Sequence, residues 1–549
     1  MKKNFLLFNV LALAGLLFSA CSSKTQVDLI VHNGVVYTVD SSFSKTEAFA
    51  VKDGKFIKIG TTDQILKNYE SSHVIDAEGK AIYPGFYDSH AHFFGLGSTL
   101  AQADLNNTRS FEEAVERLKA FREANPDAEW ILGRGWDQNK WPGKEFPDNK
   151  LLNEAFPETP VYLTRIDGHA AIVNNKGLEL SGVTQSRNVE GGLFVTIDSK
   201  LSGVLVDNAM NVVARNIPDP TEEDLTRQLI NAQDSCFAVG LTTIADAGLG
   251  INQIELLKKL YENGKLKIRD YAMVALSEKN LDHFSKEGTY ISDRLTVRSF
   301  KLMADGALGS RGACLIHPYS DAQTSGFLLL SPSKLDSVVS VLSKTDFQVN
   351  THAIGDSANR VMLDVYAKYL KGKNDRRWRI EHAQIIAPTD FAKFASYSII
   401  PSVQPTHATS DMYWAEQRLG QERIKGAYAY KDLLNEYGML ALGSDFPVEH
   451  FNPIYGFHAA VARVDANNYP EGGFQPENAI SREEALRGMT IWSAFASFQE
   501  ETHGSIEVGK VADFVIMEQD IMEIPDEQLR SAKVNRTVIA GETVFSKNN

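Results

Sequence analysis

Two kinds of hydrophobic pattern run along this chain. Near both ends, VDLIVHNGVVYTVD, EAFAVKDGKFIKIG, GSIEVGKVADFVIMEQD and VNRTVIAGETVF read as short strands broken by glycine, without a helical period. Asn33-Gly34 and Asp53-Gly54 carry strong hairpin-turn signals. These stretches predict one small β-sandwich built from residues 21–83 and 501–549, with everything between inserted into it. In that interior, strands alternate with helical stretches, the pattern of βα units around a parallel sheet. The barrel strands are read as AIYPGFYDSH, LTTIADAG, IRDYAMVAL, VRSFKLMADG, FQVNTHAIGD, RWRIEHAQ, SIIPSVQPTH and MLALGSDFP. Eight such runs suffice to close a barrel. The expected fold class is therefore α/β, a TIM-type (β/α)8 barrel over residues 84–500. Helix starts support it: SREE from Ser481 is a capping box, and TEED from Thr221 has the same form with Asp for Glu.

One interval breaks the rhythm. About 140 residues separate the first barrel strand from the second, too many for an ordinary βα loop. The span 98–238 is expected to be an inserted subdomain. It offers a helix capped by Ser110 with Phe111, Ala114, Val115, Leu118 and Phe121 on one face, strands in EWILGRGW and PVYLTRI, and a hairpin around Gly191-Gly192. An insertion after a barrel strand rises from the catalytic face, so it should act as a lid and hold specificity.

Composition narrows the class. A net charge of -14 and a pI near 5.5 argue against a general affinity for nucleic acid. Lys2 and Lys3 precede the apolar run FLLFNVLALAGLLFSA and then Cys21, which reads as an export signal over residues 1–20. Cys21 after Ser19 and Ala20 resembles a bacterial lipobox, although Phe18 stands where Leu is usual. The expected location is a lipid anchor on the periplasmic or cell-surface side of a bacterial membrane. Only Cys236 and Cys314 remain beyond it, and both are read as small core residues.

The chemistry sits at the strand ends. His90, His92, Lys301, His352, His382 and Asp445 each fall at or just past the end of a barrel run. In a parallel barrel those ends converge on one face, so the set reads as a two-metal site. His90 and His92 are expected to reach one metal where their strand ends and bends, beside Pro84-Gly85, Gly95 and Gly97. Lys301 is the unusual member, because an ammonium repels dications. Carboxylation by carbon dioxide turns it into a bridging carbamate, whereas the bland alternative is an ion pair with Asp305. Asp445 is the expected catalytic base. Trp136, His169, Arg311 and His407 are candidate substrate contacts, with Trp141 and Arg165 in the same stretches.

The motifs PGFYDSHAH, KLMADGALGSR, THAIGD, EHAQ, GSDFPVE and GSIEVGKVADFVI resemble the amidohydrolase superfamily, in particular the amidohydrolase-3 group with YtcJ-like proteins and N-substituted formamide deformylase. The resemblance covers the chain beyond the export signal. It implies that His90, His92 and Asp445 hold the more buried metal, that His352 and His382 hold the second, and that carboxylated Lys301 bridges them. It implies hydrolysis of a non-peptide C–N bond in an amide, formamide or N-acyl amine by a metal-bound hydroxide. An esterase, lactonase or cyclic amidase using the same site, or a surface protein that binds without turnover, are the alternatives. Two zinc ions are the default, and iron, manganese or cobalt satisfy the same ligands. The expected partners are a small-molecule substrate and, through lipidated Cys21, the membrane, with a homodimer left open and no nucleic acid.

Overall fold

The computed structural model describes residues 24–547 apart from 167, 169, 186–188, 190 and 191. The expected export signal, Cys21 and His169 lie outside the described residues. Eight strands form the barrel: β1 (Phe86–Ala91), β2 (Leu241–Leu249), β3 (Arg269–Ala275), β4 (Leu295–Met303), β5 (Gln348–Ala353), β6 (Arg379–His382), β7 (Ile400–Val403) and β8 (Ala441–Leu442). They pair in chain order and in parallel from β1 to β8. The seam between β8 and β1 is joined just past the strand ends, where the Asp445 N–H donates to the His90 carbonyl and the His92 N–H to the Phe446 carbonyl, each at 2.8 Å. Gly443 makes that approach possible, since a Cβ there would lie 2.6 Å from the His90 nitrogen and 2.8 Å from Asp88 Oδ1. Asp88 fastens the same seam by accepting from the Ser444 hydroxyl at 2.6 Å and from the Ser444 and His90 N–H groups.

The sandwich draws on both chain ends. One sheet orders Lys55–Gly60, Ala48–Lys52, Leu29–His32 and Val74–Asp76; the other runs Glu542–Ser546, Val534–Ile539, Phe514–Met517, Ala81–Pro84, Val35–Tyr37 and Lys45–Thr46. Val31, Val36, Phe49, Phe56, Ile82, Phe514 and Val538 fill the space between the sheets. Asp53-Gly54 makes the expected hairpin, both residues at positive φ. Asn33-Gly34 does not: the strands on either side of it join different sheets, so the turn carries the chain across the sandwich. AIYPGFYDSH likewise holds two strands, Ala81–Pro84 in the sandwich and β1 in the barrel. Gly85 sits between them with no room for a side chain, because a Cβ would come within 2.3 Å of Thr242 Oγ1. Sandwich and barrel are tied by a buried ion pair, Arg269 Nε to Asp513 Oδ2 at 2.7 Å, from the first residue of β3.

The insertion builds its own six-stranded sheet from Ala103–Asp104 to Lys200–Asp207. Ser110 caps its helix Phe111–Ala124, which buries Phe111, Ala114, Val115 and Leu118 against that sheet. Strands Gly192–Ile197 and Lys200–Asp207 are joined by a turn at Asp198-Ser199, both at positive φ, and Gly191 of the expected glycine hairpin lies outside the described residues. The last helix of the expected insertion, Glu222–Ala238, starts on the Thr221 capping box but buries Leu229, Ala232, Cys236 and Phe237 in the barrel's outer core. Its apolar face matches the barrel, so the inserted body ends before it.

Candidate metal centre

His90, Lys301, His352, His382 and Asp445 are buried together at the C-terminal mouth of the barrel, and His92 and His407 stand at its edge. β1 ends at Ala91 after a register shift between Asp88 and Ala91, so His92 lies just past the strand and converges with His90 where the strand gives way to a helix. His92 is already the N-cap of helix Phe93–Leu100. Their neighbours set the tautomers. His90 Nδ1 lies 2.6 Å from Glu381 Oε2, His92 Nδ1 2.9 Å from the Ala247 carbonyl, and His382 Nδ1 2.7 Å from Gln404 Oε1. Each partner is an acceptor, so each Nδ1 carries the hydrogen and each Nε2 presents a lone pair.

Those lone pairs meet around Asp445. Asp445 Oδ1 is 3.1 Å from His92 Nε2 and 3.6 Å from His90 Nε2, and Asp445 Oδ2 is 3.8 Å from His407 Nε2. Lys301 Nζ lies 2.9 Å from His90 Nε2. Two sets of donor atoms are each compact enough for one ion: His90, His92 and Asp445, and His382, His407 and Asp445. His352 falls in neither set, though its ring lies 4.4 Å from that of His382, and its Nε2 is 3.8 Å from Asp305 Oδ1. His352 Nε2 and His407 Nε2 are buried without a hydrogen-bond partner. Buried lone pairs without donors are costly, and a cation among them removes that cost. The residues therefore fit a divalent metal.

Electrostatics agree. Burial, then the Lys301 charge, pushes His90 down to about 4 and His352 to about 3; burial and His352 push His382 well below its ordinary value. These rings are neutral near pH 7, the form that ligates. Burial alone would raise Asp445, but the surrounding imidazoles, His92 first and then His90, His382 and His407, outweigh it and hold the carboxyl well below the usual range. Burial brings Lys301 down to about 8. The Asp305 alternative for Lys301 fails, because the Asp305 oxygens accept the backbone N–H groups of Cys314, Ile354 and Gly355 at 2.8 to 3.0 Å.

His382 at φ 73° and Asp445 at φ 61° both hold left-handed backbone, a strain that residues with a Cβ rarely adopt. At His382 the turn matters chemically. Glu381 and His382 are consecutive, and on a regular strand they would face opposite sides. Here Glu381 supports His90 from within the barrel while His382 turns over its mouth.

Three sequence candidates change role. Trp136 is fully buried inside the insertion, its Nε1 donating to the Leu163 carbonyl at 2.8 Å and its ring stacked on Trp141. Arg311 is committed to Asp321, Nε to Oδ1 at 3.1 Å and NH2 to Oδ2 at 2.8 Å. His407, expected to touch substrate, joins a potential ligand set instead. Glu381 was missed, although it stands in the motif EHAQ; its burial beside Arg379, 2.8 Å away, was the signal. Burial alone would raise Glu381, but Arg379 and His90 outweigh it and bring it to about 2, so it stays ionised.

A parallel barrel whose mouth gathers neutral imidazoles, an ionised carboxylate and a buried lysine has the form of a metal-dependent hydrolase. The sequence profile of the Amidohydrolase family (Amidohydro_3) matches residues 73–545, and the chain belongs to that family. Protein LONG AFTER FAR-RED 3 of Arabidopsis thaliana is 32% identical over 538 residues, 94% of this chain and 91% of that protein. N-substituted formamide deformylase of Arthrobacter pascens is 26% identical, covering 94% of this chain and 97% of its own. The crystal structure of an uncharacterized metal-dependent hydrolase from Pyrococcus furiosus superposes with a TM-score of 0.75 at 28% identity, covering 90% of this chain and all of the other. The protein is thus a metal-dependent hydrolase that uses a divalent metal.

Proposed function

We propose that the chain hydrolyses a non-peptide C–N bond, in an amide, formamide or N-acyl amine. The observation that carries this reading is the convergence of the His90 and His92 Nε2 lone pairs on an ionised Asp445 beside a buried Lys301. The likeness to N-substituted formamide deformylase supports the bond type. His90, His92 and Asp445 would hold one ion, and His352 and His382 the second, with carboxylated Lys301 shared between them; zinc suits these ligands. Bound ions would supply a water of lowered pKa and polarise the substrate carbonyl.

The remaining work falls to the chain. Asp445 accepts the proton of the attacking water and returns it to the departing amine, a task suited to a carboxylate held ionised at the mouth. Glu381 holds the His90 ring by its Nδ1–H, and Gln404 holds His382 in the same way. Lys301, lowered to about 8, has a larger neutral fraction near pH 7 than an exposed lysine. Its neutral nitrogen adds to the carbon of carbon dioxide and releases a proton, leaving an anionic carbamate. A second reading puts His407 in place of His352 as ligand, because His382, His407 and Asp445 form a compact set. Metal content of His352→Ala and His407→Ala separates the two.

The test is amine release from a panel of formamides and N-acyl amines by metal-loaded protein, beside Asp445→Asn. Release that Asp445→Asn abolishes supports the reading. Cleavage of esters alone, with no amine from any amide, contradicts it.

A further inference from the structure

Beside the metal centre lies a cavity of about 570 Å³, bounded at one end by His92 and Lys301. Its walls come from the ends of β2, β3 and β4 and from the segments that follow β3 and β4; the described residues lining it include none from the insertion. Leu276, Leu281, Met303, Leu329, Leu330 and Val338 supply most of its surface.

Several polar groups on these walls already have partners. The Ser277 hydroxyl accepts from the Asn280 N–H at 3.0 Å as a helix cap, and the Ala275 carbonyl accepts from Asn280 Nδ2 at 2.8 Å. The Ala247 carbonyl is taken by His92, and the Leu329 N–H donates to the Ala304 carbonyl at 2.8 Å. Glu278 and Lys334 face each other at 3.9 Å with exposed side chains, which places them at the rim. A polar group entering among the leucines would give up water for few partners, whereas an apolar chain gives up nothing. Met303 and Leu329 remain 41% and 48% exposed, apolar side chains facing open space.

We propose that this cavity receives an uncharged apolar arm of the substrate, so that the amide cleaved at the metal centre carries an alkyl or arylalkyl chain. The inference rests on the proposed hydrolase and adds its substrate class. It also moves specificity away from the insertion, where the sequence had placed it, to the β2–β4 side of the mouth.

The probe is a series of straight-chain methyl ketones of increasing length, which carry a carbonyl but no bond to hydrolyse. They are titrated calorimetrically into the metal-loaded protein and its Leu329→Glu variant. Affinity should rise about fourfold per added methylene until the cavity is full. Leu329→Glu changes a half-exposed position and should flatten that rise. Affinity independent of chain length, or a rise of the same steepness in Leu329→Glu, overturns the proposal. Because the titration does not depend on turnover, protein that binds longer chains more tightly yet releases amine from no amide would sink the hydrolase reading and leave the cavity's preference standing.

Discussion

The barrel buries charge at both ends, and the two ends are finished differently. At the N-terminal end, Arg269 of β3 meets Asp513 of the sandwich, and Asp513 also accepts the Ala540 N–H at 2.7 Å. The Arg269 and Asp513 charges satisfy each other, although the neighbouring Asp270 carboxyl oxygens and His503 Nε2 are buried without a hydrogen-bond partner. At the C-terminal end, imidazole lone pairs face a carboxylate, two strand-end residues hold left-handed backbone, and two buried ring nitrogens lack partners. The Arg269–Asp513 pair is complete in the chain alone, and the cluster at the mouth is the one that cations complete. What marks function at the mouth is therefore the convergence of several donor atoms on one point, not an unpartnered polar atom by itself.

That contrast yields graded tests. Asp445→Asn should lower kcat by about 10² to 10⁴-fold while the fold survives, as measured by steady-state amine release and circular dichroism. Asp513→Ala should do the reverse, costing about 3–5 kcal/mol in denaturant unfolding by stranding the Arg269 charge, with metal content unchanged. Burial would raise Asp513, but Arg269 outweighs it and holds the carboxyl below its ordinary value. Its contribution to stability is therefore present above the unfolded carboxylate pKa and is lost as pH falls through the lower folded value; Asp513→Ala should remove that part of the acid transition.

Smaller effects separate the clusters further. Zinc at about 100 times its Kd should stabilise the parent by about 2.7 kcal/mol, reversed by chelator, and should stabilise Asp513→Ala by the same increment. Glu381→Gln should weaken metal binding about 10- to 100-fold, read by competition with a chromophoric chelator. Arg311→Ala, which removes only a surface pair with Asp321, should leave the denaturant midpoint and KM essentially unaltered.

The barrel was legible because its strands are short apolar runs and several of them, β1, β4, β5, β6 and β8, end at or near a chemistry-bearing residue, a pattern visible without coordinates. The site was less so, and the reasons are physical. Glu381 sits next to His382, and only the φ of 73° at His382 brings both to one centre. His407 follows β7 in helix Pro405–Asp411, so its approach to Asp445 depends on how that helix leaves the strand. Trp136 looked like a pocket aromatic amid glycines, but its indole N–H is satisfied within the insertion. Helix Glu222–Ala238 falls in the long interval read as the insertion, whereas its buried face decides that it packs on the barrel.

The most direct measurement is metal content per chain in protein produced with bicarbonate and purified without chelator, beside Lys301→Ala. The account predicts about two equivalents in the parent and a clear fall in the variant, because the bridge between the two ions is lost. About one equivalent in both proteins, or none after reconstitution, would contradict it.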